Sequence, residues 1–125
     1  MQPLQGITVV TLEHAIAAPF ATRQLADLGA RVIKIERPGS GDDTRAWGPP
    51  FLKDAEGRDT SEAAYYLTAN RNKQSVTVDF TQPEGQRLVR ELAAQCDVVL
   101  ENFKVGGLAA YGLDYAALKA VNPKL

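Results

Sequence analysis

Four short apolar stretches of this sequence each end in residues that can bind or do chemistry. Residues 7–12 (ITVVTL) run into Glu13 and His14, and residues 31–36 (RVIKIE) end on Glu36 and Arg37. Residues 75–80 (SVTVDF) end on Asp79 and Phe80, and residues 97–103 (DVVLENF) deliver Glu101, Asn102, Phe103 and then Lys104. Cations suit phosphate, amides and carboxylates suit ribose hydroxyls, and an aromatic face suits a base. Together the four ends fit a nucleotide-like ligand, provided that one sheet brings them to a common rim.

Two other chemistries are weighed on the same residues. Glu36 stands where a dinucleotide fold carries its ribose-binding acid, but the first turn is EHAIAAPFAT and lacks G-x-G-x-x-G. Backbone cannot approach a pyrophosphate there in the usual way, so a nicotinamide-dependent dehydrogenase is set aside. His14 is the single histidine, with no serine or cysteine at a recognisable nucleophile spacing. A core histidine, or one that orients a loop, is favoured over a catalytic one. TANRNKQS (68–75) is the densest donor cluster, and it reads equally as a solvated turn or as an anchor for the long loop before it.

The elements that must position these residues follow from pattern. ITVVTL is β-branched and apolar, a buried strand. Pro19 suits a first helical turn, Ala17, Ala21, Leu25 and Leu28 follow at helical spacing, and Gly29 suits a C-cap. RVIKIE returns as a strand, completing a βαβ unit of about 30 residues and hence a parallel pair. Three glycines and three prolines in residues 37–53 predict a long irregular loop in which Trp47 is a packing anchor. Ser61 is expected to cap a helix through EAAYYLTA, which Tyr65 and Tyr66 help to pack. SVTVDF alternates as a third strand. Thr81 and Glu84 have capping-box spacing, Pro83 sits in the first turn, and Leu88, Val89, Leu92, Ala93 and Cys96 make one helical stripe. DVVLENF is the fourth strand, and Asp114 caps a short last helix. The alternation predicts an α/β fold: a Rossmann-like, open, mostly parallel sheet with helices on both faces.

Composition narrows the function classes. The 125 residues carry 14 basic and 15 acidic side chains, a formal net charge of −1. That balance gives no support to nucleic-acid or membrane-surface binding, which draw on excess positive charge. One cysteine, Cys96, rules out an internal disulfide and a paired-thiolate metal site. It reads as an inert core thiol. No apolar run approaches the ~20 residues of a membrane span, and the N-terminus lacks the basic-then-apolar order of a signal peptide. A cytoplasmic setting is expected.

Several stretches together resemble the N-terminal part of the class III coenzyme A transferases. They are PLQGITVV, AAPFATRQLADLGARVIKIERPGSGDDTR, YYLTANRNKQSVTVDF, PEGQRLVRELAAQCDVVLENF and YGLDYAALKAVNPKL, in order over nearly the whole chain. The resemblance implies that residues 1–125 are the N-terminal part of a CoA-binding large domain. It implies coenzyme A as substrate and no metal. The partners implied are an acyl-CoA and a carboxylic acid, with an interlocked homodimer for the full-length protein. DDTRAWGPPF is most similar to the branch that moves CoA among dicarboxylic acids. The chemistry implied runs through covalent aspartyl anhydride and aspartyl-CoA intermediates, and no residue here matches the nucleophilic aspartate. The chain is therefore expected to be a truncated piece, inactive alone, with an unpaired sheet edge.

Residue by residue, the resemblance assigns CoA contacts to Arg37, to Val78, Asp79, Phe80 and Thr81, and to Asn102, Phe103 and Lys104. It also places His14, Ala15, Ile16 and Ala17 in the loop where CoA passes toward the reacting centre. Departures stand beside these. Ile16 replaces a glutamine of formyl-CoA transferase, Val105-Gly106 replaces Pro-Gly, and Ala110 replaces a cation near the CoA phosphate, for which Lys104 could substitute. Two alternatives stay open from the sequence: an acyl-CoA racemase fragment of the same fold, and a non-catalytic nucleotide-binding module.

Overall fold

The computed structural model describes residues 1–125. In chain order the elements are β1 (Thr8–Leu12), α1 (Ala17–Asp27), β2 (Arg31–Glu36), β3 (Phe51–Lys53) and β4 (Asp59–Ala63). Then follow α2 (Ala64–Asn70), β5 (Lys73–Thr77), α3 (Pro83–Ala94), β6 (Val98–Glu101) and α4 (Tyr115–Val121). Four strands form one sheet in the order β5-β2-β1-β6, and every pair in it is parallel. The fold is α/β, as the alternation of strands and helices predicts. β3 and β4 form a separate antiparallel hairpin.

Side-chain alternation splits the core into two layers. Val10, Leu12, Ile33 and Ile35 face α3 and α4, where they pack with Val89, Ala93, Cys96, Leu113 and Leu118. Val9 and Val32 face the other way, onto Ala26 and Ala30. Each fully buried Val or Leu contributes about 1.5–3 kcal/mol before the entropy of ordering the chain is subtracted. Helices therefore cover both faces. The outer strands β5 and β6 each leave one edge unpaired. β1 sits inside the sheet, and the connections from it and from β6 leave on different sides, which opens a crevice at their carboxyl ends.

Several local expectations are corrected. The expected face of α1 is displaced by one residue: Ala18, Thr22 and Ala26 are the buried row, and Leu28 is exposed. Thr22 lies inside because its hydroxyl donates to the buried Glu13 Oε2 at 2.6 Å. The third main strand begins at Lys73, not Ser75, and ends at Thr77. Its partner β2 ends at Glu36, opposite Thr77; Val78 N–H still donates to the Glu36 carbonyl at 2.9 Å, and Asp79–Phe80 has no ladder to join. Ser61 lies in β4 rather than at a helix cap, and α2 starts at Ala64. Thr81 caps nothing: Gln82 is the N-cap of α3, while the Thr81 hydroxyl donates to Asp79 and Glu84 pairs with Arg87. The proline- and glycine-rich segment holds a 3-10 turn over Asp43–Ala46 and strand β3. Asp114 does cap α4, accepting from Ala117 N–H at 3.1 Å.

Candidate functional site

A cleft of about 590 Å³ opens at the carboxyl ends of the parallel strands. His14, Arg37, Val78, Asp79, Phe80, Thr81, Phe103 and Lys104 all line it, drawn from four separate strand ends. Its aromatic wall is continuous. The His14 and Phe103 rings lie 4.9 Å apart, Phe103 and Phe80 meet edge-on at 5.9 Å, and Phe80 meets Tyr111 at 5.4 Å. Offset and edge-on contacts at these separations are the favoured aromatic geometries. Tyr111 has no counterpart among the residues expected from sequence. It comes from a 3-10 turn, Ala109–Tyr111, whose spacing carries no periodic signal.

The cation side of the cleft is built on the loop after β2. Arg37 Nε donates to Ser40 Oγ at 2.8 Å and to the Gly41 carbonyl at 3.0 Å, and its guanidinium also pairs with Asp43. Both partners of that pair are more than half exposed, so it contributes little stability. Opposite, Asp79 accepts from Thr81 N–H at 3.0 Å, which turns the chain out of the sheet and into α3. This wall rests on Gly85: an added Cβ would lie 1.9 Å from the Asp79 carbonyl oxygen.

Asn102 binds across the crevice. Its Oδ1 accepts from His14 N–H at 3.0 Å, and its Nδ2 donates to the His14 carbonyl at 2.9 Å. The side-chain amide thus clasps one residue's backbone at both ends and ties the loop after β1 to the loop after β6. Asn102 does not line the cleft, and neither do Ala15, Ile16 and Ala17. The chain turns at Ala15, with φ 58°, and runs straight into α1, leaving Ile16 and Ala17 exposed on the outside. The loop-orienting role expected of the His14 side chain falls instead to its backbone.

A buried polar network that sequence reasoning missed backs the cleft, and its Glu13, Glu36 and Asp42 reach the cleft lining. Lys34 and Lys73 both reach Glu13: Lys73 Nζ donates to Oε1 at 2.6 Å, and Lys34 Nζ lies 3.5 Å from the same oxygen. Glu13 Oε2 accepts from the Thr11 and Thr22 hydroxyls at 2.8 and 2.6 Å. Burial pushes the Lys73 ammonium down to about 8, against the raising effect of Glu13. Glu36 accepts from Arg45 Nε at 2.9 Å, from Arg45 NH2 at 2.7 Å, from Asp42 N–H at 2.8 Å and from the Ser75 hydroxyl. Burial raises its pKa, but those donors and the Arg45 charge outweigh burial and hold it at about 2. Burial, with the adjacent Glu36 carboxylate, pushes the Tyr66 phenol up. The signal in the sequence was Lys34 itself, a lysine flanked by Val32, Ile33 and Ile35, which cannot be buried without a partner. TANRNKQS divides accordingly: Arg71 makes a surface pair with Asp27, whereas Lys73 is an interior anchor.

Trp47 packs on Tyr65 at 5.3 Å and keeps its other side in solvent. Cys96 is buried, as expected of a core thiol. No helix is long and apolar enough to cross a membrane.

Comparison with known proteins places this architecture. The chain is 56% identical over 123 residues to a succinate–glutarate CoA-transferase of Agrobacterium fabrum, covering 98% of this chain and 30% of that protein. It is 47% identical over 125 residues to the human succinyl-CoA:glutarate CoA-transferase, covering 100% of this chain and 27% of that one. The crystal structure of a CAIB/BAIF family protein from Brucella suis superimposes with a TM-score of 0.90 at 54% identity, covering 99% of this chain and 32% of that chain. The chain thus spans about 30% of the length of such relatives. The sequence profile of CoA-transferase family III matches residues 4–125, and the chain belongs to that family.

Proposed function

We propose that the full-length protein transfers coenzyme A between an acyl-CoA thioester and a carboxylic acid, and that this chain holds the nucleotide end of CoA. The observation that carries the reading is the cleft itself. Its four-ring wall offers stacking faces for adenine, and Arg37 and Lys104 supply cations for phosphate at the same rim. Lys104 stands in for the cation that Ala110 lacks. Dicarboxylates are the acids of choice, supported by relatives named for succinate and glutarate.

In this reading a carboxylate attacks the thioester carbonyl, forms an aspartyl anhydride and expels CoA thiolate. The thiolate then attacks the aspartyl carbonyl, giving an aspartyl-CoA thioester and releasing the donor acid. An acceptor carboxylate repeats the two steps in reverse order. Splitting the exchange in this way replaces one hard step with easier ones. The nucleophilic aspartate is assigned to no residue of this chain, so the activity belongs to the whole protein. Residues 1–125 are read as the N-terminal part of its CoA-binding domain, in a cytoplasmic, interlocked homodimer.

The test is CoA binding by calorimetry on the full-length protein. Arg37→Ala removes a charged donor and is expected to weaken binding about tenfold or more. Asn102→Ala is expected to weaken it by freeing the His14 loop. Wild-type affinity in both variants refutes the assignment.

A further inference from the structure

Lys34 lies in the middle of β2 with its side chain fully buried. Its ammonium donates to Asp42 Oδ2 and to Asn70 Oδ1, each at 2.7 Å. Asp42 divides its two oxygens between the core and the cleft. Oδ2 takes the lysine, while Oδ1 accepts from Thr44 N–H at 2.9 Å, from Thr44 Oγ1 at 2.8 Å and from Ala15 N–H at 3.3 Å. Ala15 carries φ 58°, a conformation that a residue with a Cβ adopts only when something fixes it. Thr44 follows Asp43, the partner of Arg37. One carboxylate therefore joins the core of β2 to the loop after β1 and to the loop that carries Arg37.

Stability alone gives no account of this pair. A buried ion pair adds little over apolar side chains of the same volume, because desolvation cancels most of the attraction. We infer that the Lys34–Asp42 pair is a positioning device that sets both cleft loops at the spacing CoA requires, with Lys34 held in the core away from the cleft and Asp42 reaching its lining. The inference rests on the CoA-transfer reading for its ligand and on the geometry alone for its mechanics.

The test uses the full-length protein and the double variant Lys34→Met/Asp42→Asn. Methionine fills the lysine stem's volume, asparagine keeps an oxygen for Ala15 and Thr44, and Glu13 keeps Lys73, so no charge is stranded. The variant is expected to melt near wild type. Its KM for acyl-CoA should rise about tenfold or more, the loss expected when the displaced Arg37 loop gives up one charge-assisted contact. Its kcat and its KM for the acceptor acid should stay unchanged. A folded variant with wild-type KM for acyl-CoA overturns the inference, and so does an equal rise in both KM values. Should the variant not fold, amide hydrogen exchange on the wild type decides: the Ala15 and Thr44 amides should exchange slowly, and fast exchange at either overturns the inference. A wild type that binds no CoA would refute the functional reading instead. In that case, faster Ala15 exchange in the double variant would still establish the positioning role.

Discussion

Gly85→Ala sets two effects of opposite sign against each other. Gly85 lies inside the first turn of α3, where helix propensity alone predicts that alanine stabilises by about 1 kcal/mol. The structure predicts the reverse. The new Cβ would meet the Asp79 carbonyl oxygen at 1.9 Å, the Asp79 carbonyl carbon at 2.5 Å and Phe80 N at 3.0 Å. An ordinary contact begins near 3.4 Å, so the backbone must retreat by about 1.5 Å. The neighbours are main-chain atoms, which cannot rotate away as a flexible side chain can. Overpacking of this kind costs about 1–3 kcal/mol, and backbone displacement puts the case at the upper end. The net is a loss of about 2 kcal/mol, a fall in Tm of roughly 5–10 °C. The retreating backbone is the Asp79–Phe80 wall of the cleft, so CoA affinity should fall with stability. Thermal and urea unfolding of the two proteins side by side give the first number, and calorimetry gives the second. An alanine variant that melts at or above the wild type would refute the close approach of α3 to this wall.

Two further outcomes follow from buried groups. Glu36 is held at about 2, below its ordinary 4.5, so it contributes stability that is fully present above pH 4.5 and lost as pH falls through 2, about 3 kcal/mol in all. Urea midpoints between pH 6 and pH 3 should therefore fall more steeply for wild type than for Glu36→Gln, and equal slopes would contradict the pairing with Arg45. Burial pushes the Cys96 thiol up, and its sulfur lies 3.4 Å from the Ala93 and Val98 carbonyls. An aromatic disulfide reagent should modify it only after unfolding, and rapid stoichiometric reaction of the folded chain would count against the buried placement.

How far the sequence could be read depended on the range of the interactions involved. β2 is legible at both ends because RVIKIE is bounded by Ala30 after a glycine and by Arg37-Pro38, and its pattern is local. The Asp114 cap is legible for the same reason. β5 is displaced from SVTVDF because its limits are set by where β2 stops, which no window on residues 73–80 contains. The buried row of α1 is displaced because a threonine goes inside to serve Glu13, so hydropathy points to the wrong face. Hairpin β3–β4 hides in a segment whose prolines and glycines argue against regular structure, although Asp54 pins its turn by accepting from Glu56 and Arg58 N–H at 3.0 and 2.9 Å. The cleft residues were visible because strand ends in an open parallel sheet share a rim. The network of Glu13, Lys34, Asp42, Asn70 and Lys73 was not, because its members meet only in space.

The grip of Asn102 on residue 14 engages main-chain atoms alone, through one donor and one acceptor that every amino acid but proline possesses. Any residue but proline there keeps both bonds. Position 14 can therefore change its side chain toward the cleft without loosening that clasp, at the cost of the ring that packs 4.9 Å from Phe103, while position 102 has no such latitude. A library randomised at 14 should return many well-folded clones that differ in selectivity, and one randomised at 102 should return few.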